Sequence, residues 1–199
     1  MKKRLPRLPD DLLPKLHVPI RRLTAADRPA LLDHYLGLSL AERTAQFGHP
    51  LSDEKLAGFT RRLDFEADGH FAALGAASVF IGVAHCLVFD GQGVVSVQVA
   101  QGYRRRGVGT ALGAQLTYFG RTRALSWLRA YFSKGDPIAA SLARACGMVL
   151  NFGIDRFYAE YRLLPGPALA ARAPRAVPNA QLQSPDVRNP ESAEAPAPA

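Results

Sequence analysis

Apolar residues along this chain change from a strand period to a helix period around residue 105. Valines in residues 93–99 alternate with small or polar residues, which is the pattern of a strand. After residue 107, apolar side chains recur three or four positions apart at Val108, Leu112, Leu116 and Phe119. That spacing places them on one face of a helix. The two patterns together predict a strand, a short turn and a helix in direct succession.

The same patterns predict the order β-α-α-β-β-β-α-β-α-β-β across residues 18–163. The strands are expected at residues 18–23, 71–74, 79–89, 94–99, 125–132, 148–152 and 156–163. Thr24 and Ser52 suit the N-caps of the first two helices, and Asp136 with Pro137 suits the start of the last helix. Gly147 suits its C-terminal end. Residues 71–89 are apolar enough to raise the question of a membrane span, but their glycines and small residues favour two strands.

Composition divides the 199 residues into three parts. Residues 18–163 have the apolar content for one domain, residues 1–17 form a basic N-terminal extension, and residues 164–199 are rich in alanine and proline. We expect that tail to be disordered, because it offers little apolar surface to bury. Polar residues interrupt the start of the chain where a signal peptide would be apolar, so we expect a cytoplasmic protein. Cys86 and Cys146 lie in apolar surroundings without metal-ligand spacing, so we expect neither a disulfide nor a metal site.

The net charge of +8 is unevenly distributed. Residues 91–135 contain seven arginines and lysines and no acidic residue. Such a segment attracts polyanions, of which coenzyme A and nucleic acids are two classes. The aromatic residues fall at positions that look buried instead of forming an exposed stacking surface, which argues against nucleic acid.

Three arginines and two glycines occupy the turn between the central strand and its helix, at residues 104–109. The first N–H groups of a helix have no partner within it and form an anion-binding end, and forked guanidinium groups suit phosphate oxygens. Position 112 is not glycine and no Gly-Lys-Ser/Thr follows, so neither a dinucleotide fingerprint nor a P-loop is present. The turn therefore predicts a phosphate cradle, with a basic helix cap as the plainer alternative.

The pattern Arg104-x-x-Gly107-x-Gly109 resembles the acyl-CoA pyrophosphate loop of the GCN5-related N-acetyltransferase (GNAT) family. Residues 136–148, Asp-x-x-Ala-x-x-Leu-Ala-x-x-x-Gly-Met, are similar to the family's motif on its last helix. Residues 20–47 look like the acetyltransferase module of bacterial protein-lysine acetyltransferases, which is a weaker match. The resemblance implies an α/β (α+β) GNAT fold, with a mixed, mostly antiparallel sheet flanked by helices.

For function, the resemblance implies an enzyme that transfers an acetyl or other acyl group from acetyl-CoA to a primary amine of a small molecule or of a protein lysine. The backbone of Val97, Gln98 and Val99 would then hold the pantetheine arm, and Asp136 would approach the coenzyme. The pyrophosphate would be bound by the loop residues Arg104, Arg105, Arg106, Gly107, Val108, Gly109 and Thr110. A monomer or homodimer without membrane association is expected.

Two positions depart from the family pattern. Val94 stands where related lysine acetyltransferases usually carry a glutamate base, and Ala143 replaces the tyrosine that often protonates the leaving thiolate. His85 on the preceding strand is a candidate substitute base, because an unperturbed imidazole titrates near neutrality; a buried structural histidine is the alternative. These departures also leave open a degenerate domain that binds acyl-CoA as a sensor or interaction module.

Overall fold

The computed structural model describes residues 18–133, 136–152 and 157–163. In this part of the chain, strands and helices alternate much as the periodicity predicts. The strands are β1 (Ile20–Arg22), β2 (Gly69–Leu74), β3 (Phe80–Phe89), β4 (Gln92–Val99), β5 (Trp127–Phe132), β6 (Val149–Phe152) and β7 (Phe157–Arg162). The helices are α1 (Arg28–Leu36), α2 (Leu40–Phe47), α3 (Asp53–Arg62), α4 (Val108–Thr122) and α5 (Pro137–Ala145).

Local capping chemistry fixes the starts of the N-terminal helices. Thr24 and Asp27 form a capping box around a short 3-10 turn that leads into α1, and the Ser52 side chain accepts from the backbone of α3. The helix α2 was missing from the predicted order, which is a correction. It begins with a capping box between Ser39 and Glu42 and ends at Gly48, whose φ of 80° is left-handed.

The seven strands form one sheet in the order β1-β2-β3-β4-β5-β7-β6. Neighbouring strands are antiparallel except β4 and β5, which are parallel. The β4–β5 ladder joins only Gly93 to Leu128 and Val94 to Arg129. Beyond Val94 the two strands separate, so the remainder of β4 pairs with β3 alone and an opening lies on its other side.

Helices cover both faces of the sheet. One core cluster joins α1 and α3 to the sheet through Leu31, Tyr35 and Phe59, and α4 packs on the opposite face through Leu112 and Phe119. Side chains of β4 alternate between these layers, as in any strand. Val95 packs on the α4 face, whereas the side chains of Ser96 and Gln98 bond to residues of α2 and α1 on the other face.

The predicted fold class is confirmed, a mostly antiparallel α/β sheet with helices on both faces. Residues 71–89 form β2, β3 and a short turn between them, as predicted. No helix within the described ranges is long and apolar enough to span a bilayer. The predicted N-terminal extension and the alanine- and proline-rich tail lie outside the described residues, so those two assignments stay predictions.

Candidate functional site

The opening between β4 and β5 is lined by backbone amides of β4. Ala100 donates its N–H to Ile81 O at 2.9 Å. At this end of β4, the backbone N–H and C=O groups of even-numbered residues therefore point towards β3. The groups of an antiparallel strand point alternately to its two neighbours, so Val97 and Val99 direct theirs into the opening. Val99 O is already taken by Arg104 Nε at 2.8 Å. Both groups of Val97 and the N–H of Val99 are left to pair with an extended, amide-containing ligand.

A run of free N–H groups follows at the end of β4. A 3-10 turn, Gln101–Tyr103, leads into a loop in which Arg105 and Gly107 have left-handed φ values of 60° and 81°. The first amide of α4 to be bonded is that of Ala111, which donates to Gly107 O. For residues 105–110, no described residue accepts from the backbone N–H. These donors and the helix dipole create a partly positive site at the start of α4.

The two glycines of the loop have different roles. A Cβ built on Gly107 would meet no atom within 4 Å, so the space in front of it is open and its left-handed backbone is the reason for glycine. A Cβ on Gly109 would lie 3.1 Å from Leu142 Cδ1 of α5. Gly109 therefore lets α4 and α5 pack closely.

The three arginines of the loop differ in whether their guanidinium groups are paired within the protein. Arg104 ties the loop to the domain, because its Nη2 lies 2.8 Å from Glu42 Oε1 of α2 and its Nε donates to Val99 O. Arg105 and Arg106 are exposed, and no ion pair joins them to another described residue. The two exposed guanidinium groups are therefore the ones available to an anion at the start of α4.

Asp136 acts as a helix cap. Its Oδ1 accepts from the backbone N–H groups of Ile138 and Ala139, at 3.0 and 2.9 Å. This carboxylate fixes the N-terminus of α5, and its predicted contact with the coenzyme stays a prediction.

His85 lies in the core, 2% exposed, in a chain of buried hydrogen bonds. Its Nε2 is 2.5 Å from Tyr35 Oη, its Nδ1 is 2.7 Å from His70 Nδ1, and His70 Nε2 is 3.2 Å from Asp64 O. Asp64 O is a backbone carbonyl oxygen and can only accept a hydrogen bond. If the imidazole rings of His70 and His85 are both neutral, this fixes which atom donates in each bond of the chain. His70 donates to Asp64 O, His85 donates to His70, and Tyr35 donates to His85.

Burial favours this neutral arrangement. Desolvation lowers the pKa of His70 to about 4, and the pKa of His85 falls well below its ordinary value because of desolvation and the neighbouring imidazoles. Both nitrogens of His85 are occupied within the core. The geometry therefore gives no support to the prediction that His85 accepts a proton from a substrate, and favours the structural alternative.

Polar groups missed by the sequence analysis lie on the other side of β4. Val94 is 3% exposed and offers no base, but Ser96 Oγ accepts from Gln46 Nε2 at 3.2 Å, and Gln98 Oε1 lies 2.6 Å from His34 Nε2. Polar residues at alternate positions of an otherwise apolar strand were the signal that could have indicated this cluster. Their partners could not be found that way, because those residues lie 50 and 64 positions away.

Comparison with solved structures places this architecture among acetyltransferases. The GNAT domain of S. lividans PAT has a TM-score of 0.63 and 20% identity, over 73% of this chain and 90% of that one. A GNAT superfamily phosphinothricin acetyltransferase from Sinorhizobium meliloti, solved in complex with acetyl-CoA, has a TM-score of 0.61 and 18% identity over 85% and 100%. Ribosomal-protein-alanine N-acetyltransferase from Brucella melitensis has a TM-score of 0.59 and 22% identity over 73% and 99%.

At these identities the likeness establishes the fold, which is the GNAT fold. No protein-family model and no curated protein matches the chain in sequence.

Proposed function

We propose that this protein is an acetyl-CoA-dependent N-acetyltransferase acting on a primary amine. One observation carries the proposal: the amide-lined opening beside β4 continues directly into the free N–H groups of residues 105–110. An extended arm that contains amides and ends in a pyrophosphate matches both features in the same order. The neighbour from S. meliloti was solved with acetyl-CoA, which supports the same ligand here.

Each part of the site takes a separate role in this proposal. The backbone of Val97 and Val99 pairs with the pantetheine arm, and the N–H groups at the start of α4 bind the pyrophosphate. Arg105 and Arg106 supply charge from the exposed side of the loop. Arg104 is a positioning residue, because it connects the loop to α2 and to the end of β4.

The chemistry follows from holding two reactants together. The neutral amine nitrogen attacks the thioester carbon and forms the amide C–N bond as the C–S bond breaks. The proton that the nitrogen loses ends, directly or through solvent, on the sulfur of coenzyme A, which leaves as a thiol. Backbone N–H groups in the opening stabilise the oxyanion that develops on the carbonyl oxygen. Val94 and Ala143 contribute no acid or base, so positioning accounts for a larger share of the rate than in relatives with both groups.

The acceptor is a small molecule or a protein. Phosphinothricin and ribosomal-protein-alanine acetyltransferases both occur among the solved neighbours, so the narrower likeness to protein-lysine acetyltransferases stays a prediction. The acceptor would approach from the side of α1 and α2, where β4 presents its polar side chains. A cytoplasmic location and a monomeric or homodimeric state also stay predictions.

Calorimetry with acetyl-CoA tests the binding half of the proposal. The unmodified protein should bind with a Kd on the order of micromolar. Thr110→Glu places a carboxylate among the free N–H groups, where it repels a pyrophosphate and should weaken binding at least about tenfold. Thr122→Glu makes the same substitution at the far end of α4 and serves as the matched control. Equal affinity in the two variants would show that the cofactor binds elsewhere.

Thiol release with a panel of amines tests turnover. The absence of the usual groups at Val94 and Ala143 favours a second candidate, a domain that binds acyl-CoA without transferring the acyl group. Steady release of thiol that depends on an added amine excludes this candidate. Tight binding with no amine-dependent release excludes the enzyme.

A further inference from the structure

Tyr131 is a half-buried tyrosine on β5, the strand on the far side of the opening from β4. Its strand neighbours Leu128 and Ala130 pack in the cluster on the α4 face. Because side chains alternate along a strand, Tyr131 lies on the other face, where β4 carries Ser96. The core cluster of α1 and α3 on that face contains no residue of β5 or β7, and Tyr131 keeps part of its surface exposed.

The hydroxyl of Tyr131 lies near the closed end of the opening. The last pair of the β4–β5 ladder joins Val94 to Arg129, and Tyr131 is two residues further along β5, where the strands have separated. Its Oη is 3.4 Å from Arg129 Nη1, so the hydroxyl lies beside the residue at which the opening closes. A ligand arm that enters from the free N–H groups of residues 105–110 has its far end at this point.

The guanidinium of Arg129 is held by groups of β5 and β7. Its Nη2 lies 2.6 Å from Glu160 Oε2. Its Cζ is 4.0 Å from the ring centre of Trp127 and 4.7 Å from that of Tyr158. A guanidinium only donates, so its contact with Tyr131 uses the phenol oxygen as the acceptor. No described residue accepts the proton of this hydroxyl, which therefore stays available to a ligand.

The proton transfer of the proposed reaction needs a group in this place. The nitrogen of the acceptor loses a proton and the sulfur of coenzyme A gains one. Both atoms are bonded to the same carbon in the tetrahedral intermediate, so one hydroxyl can contact both of them at once. The side chains of Val94 and Ala143 supply neither an acid nor a base.

We propose that Tyr131 is a catalytic residue that carries the proton from the acceptor nitrogen to the sulfur of coenzyme A. The inference rests on the proposed function and names a residue for its proton transfer. The phenol oxygen accepts the N–H proton of the intermediate as its own proton passes to the sulfur. The C–S bond breaks and its electron pair stays on the sulfur. The products are an amide and a thiol, and Tyr131 ends as the neutral phenol with which it began.

Kinetics of thiol release test the role of the hydroxyl. The probes are acetyl-CoA with n-butylamine, glycinamide or a lysine-containing peptide, and the fastest of the three amines is used. Tyr131→Phe should lower kcat at least about 100-fold, which is typical of lost acid–base catalysis, with the Kd for acetyl-CoA and the KM for the amine unchanged. Tyr158→Phe removes a hydroxyl from the cross-strand neighbour, so it is the matched control and should keep the kcat of the unmodified protein.

An NMR measurement on the full chain locates the hydroxyl without relying on turnover. The ¹³Cζ signal of Tyr131 is assigned by its loss in Tyr131→Phe. This signal should shift when coenzyme A is added, because the thiol then lies against the hydroxyl. The shift should be smaller with desulfo-coenzyme A, which has the same arm without the sulfur.

The outcomes distinguish this role from the proposed function. If coenzyme A does not bind, or if the unmodified protein releases no thiol with any of the three amines, the proposed function fails and the role fails with it. If turnover is present and Tyr131→Phe retains it, the role of Tyr131 is overturned while the function stands. An equal loss of kcat in Tyr158→Phe, or an equal response of the Tyr131 signal to both ligands, overturns the role in the same way.

Discussion

The buried pair His70 and His85 should make the protein lose stability in mildly acidic solution. The pKa of His70 is lowered from 6.5 to about 4 and that of His85 is lowered well below its ordinary value, both mainly by burial. The folded state therefore binds fewer protons than the unfolded state below pH 6.5. The stability contributed by neutral histidines is complete above that pH and is lost as the pH falls towards 4.

The size of the effect follows from the shift of His70. One pKa unit corresponds to about 1.4 kcal/mol, so His70 alone contributes roughly 3 kcal/mol in full, of which about 2 kcal/mol is lost between pH 7 and pH 5. This is a substantial fraction of the 5–15 kcal/mol that is typical of a domain's stability. Asp68 acts in the opposite direction, because burial raises its pKa, so the histidine effect has to be isolated by substitution.

Urea unfolding at pH 7 and pH 5 provides the measurement. The double variant His70→Gln/His85→Gln keeps polar groups that can accept from Tyr35 and donate to Asp64 O, but it does not titrate in this range. Its free energy of unfolding should change less between the two pH values, by about 2 kcal/mol or more. An unchanged pH dependence would refute the account. If the double variant does not fold, NMR of the unmodified protein decides, since neither imidazole should titrate between pH 7 and pH 5.

Three further results are expected. Gly93→Ala should destabilise the fold by about 1–3 kcal/mol in urea unfolding, because the new Cβ would lie 2.6 Å from Leu128 Cδ2. Asp136→Ala should cost about 1 kcal/mol through the lost cap of α5, and Asp136→Ser should restore most of it in the same assay. Arg105→Met with Arg106→Met should weaken acetyl-CoA binding and flatten its dependence on salt in calorimetry, while the melting temperature stays within about 2 °C.

Local signals in the sequence were sufficient for most of the elements. Ser52 and Asp136 cap the helices for which they were chosen, because a cap depends on residues only two or three positions away. Thr24 instead caps the short 3-10 turn before α1, and the N-cap of α1 itself is Asp27. The helix α2 carried a signal of the same kind, Ser39-x-x-Glu42, and was nevertheless missed. Its apolar face is short, so periodicity alone gave no indication of it.

The site was harder to predict, because its geometry depends on pairing between distant segments. His70 faces His85 only because β2 and β3 are in that register, and His34 reaches Gln98 across 64 positions. Arg104 was predicted as a phosphate ligand, and the sequence does not show that Glu42 lies beside it. Composition gave the positive charge of the loop, but only the folded chain shows which guanidinium groups are already paired.

The short ladder between β4 and β5 leaves the sheet unfinished on one side. If the cofactor's arm fills that space, the ligand acts as an additional, removable strand. Beyond Val94, the backbone groups on that side of β4 are then hydrogen-bonded only while the ligand is bound. Hydrogen exchange at Val97 and Val99 should then slow sharply on loading with acetyl-CoA, more than at any amide of the paired stretch of β3. Occupancy of the cofactor would thus regulate how easily the middle of the molecule opens to water.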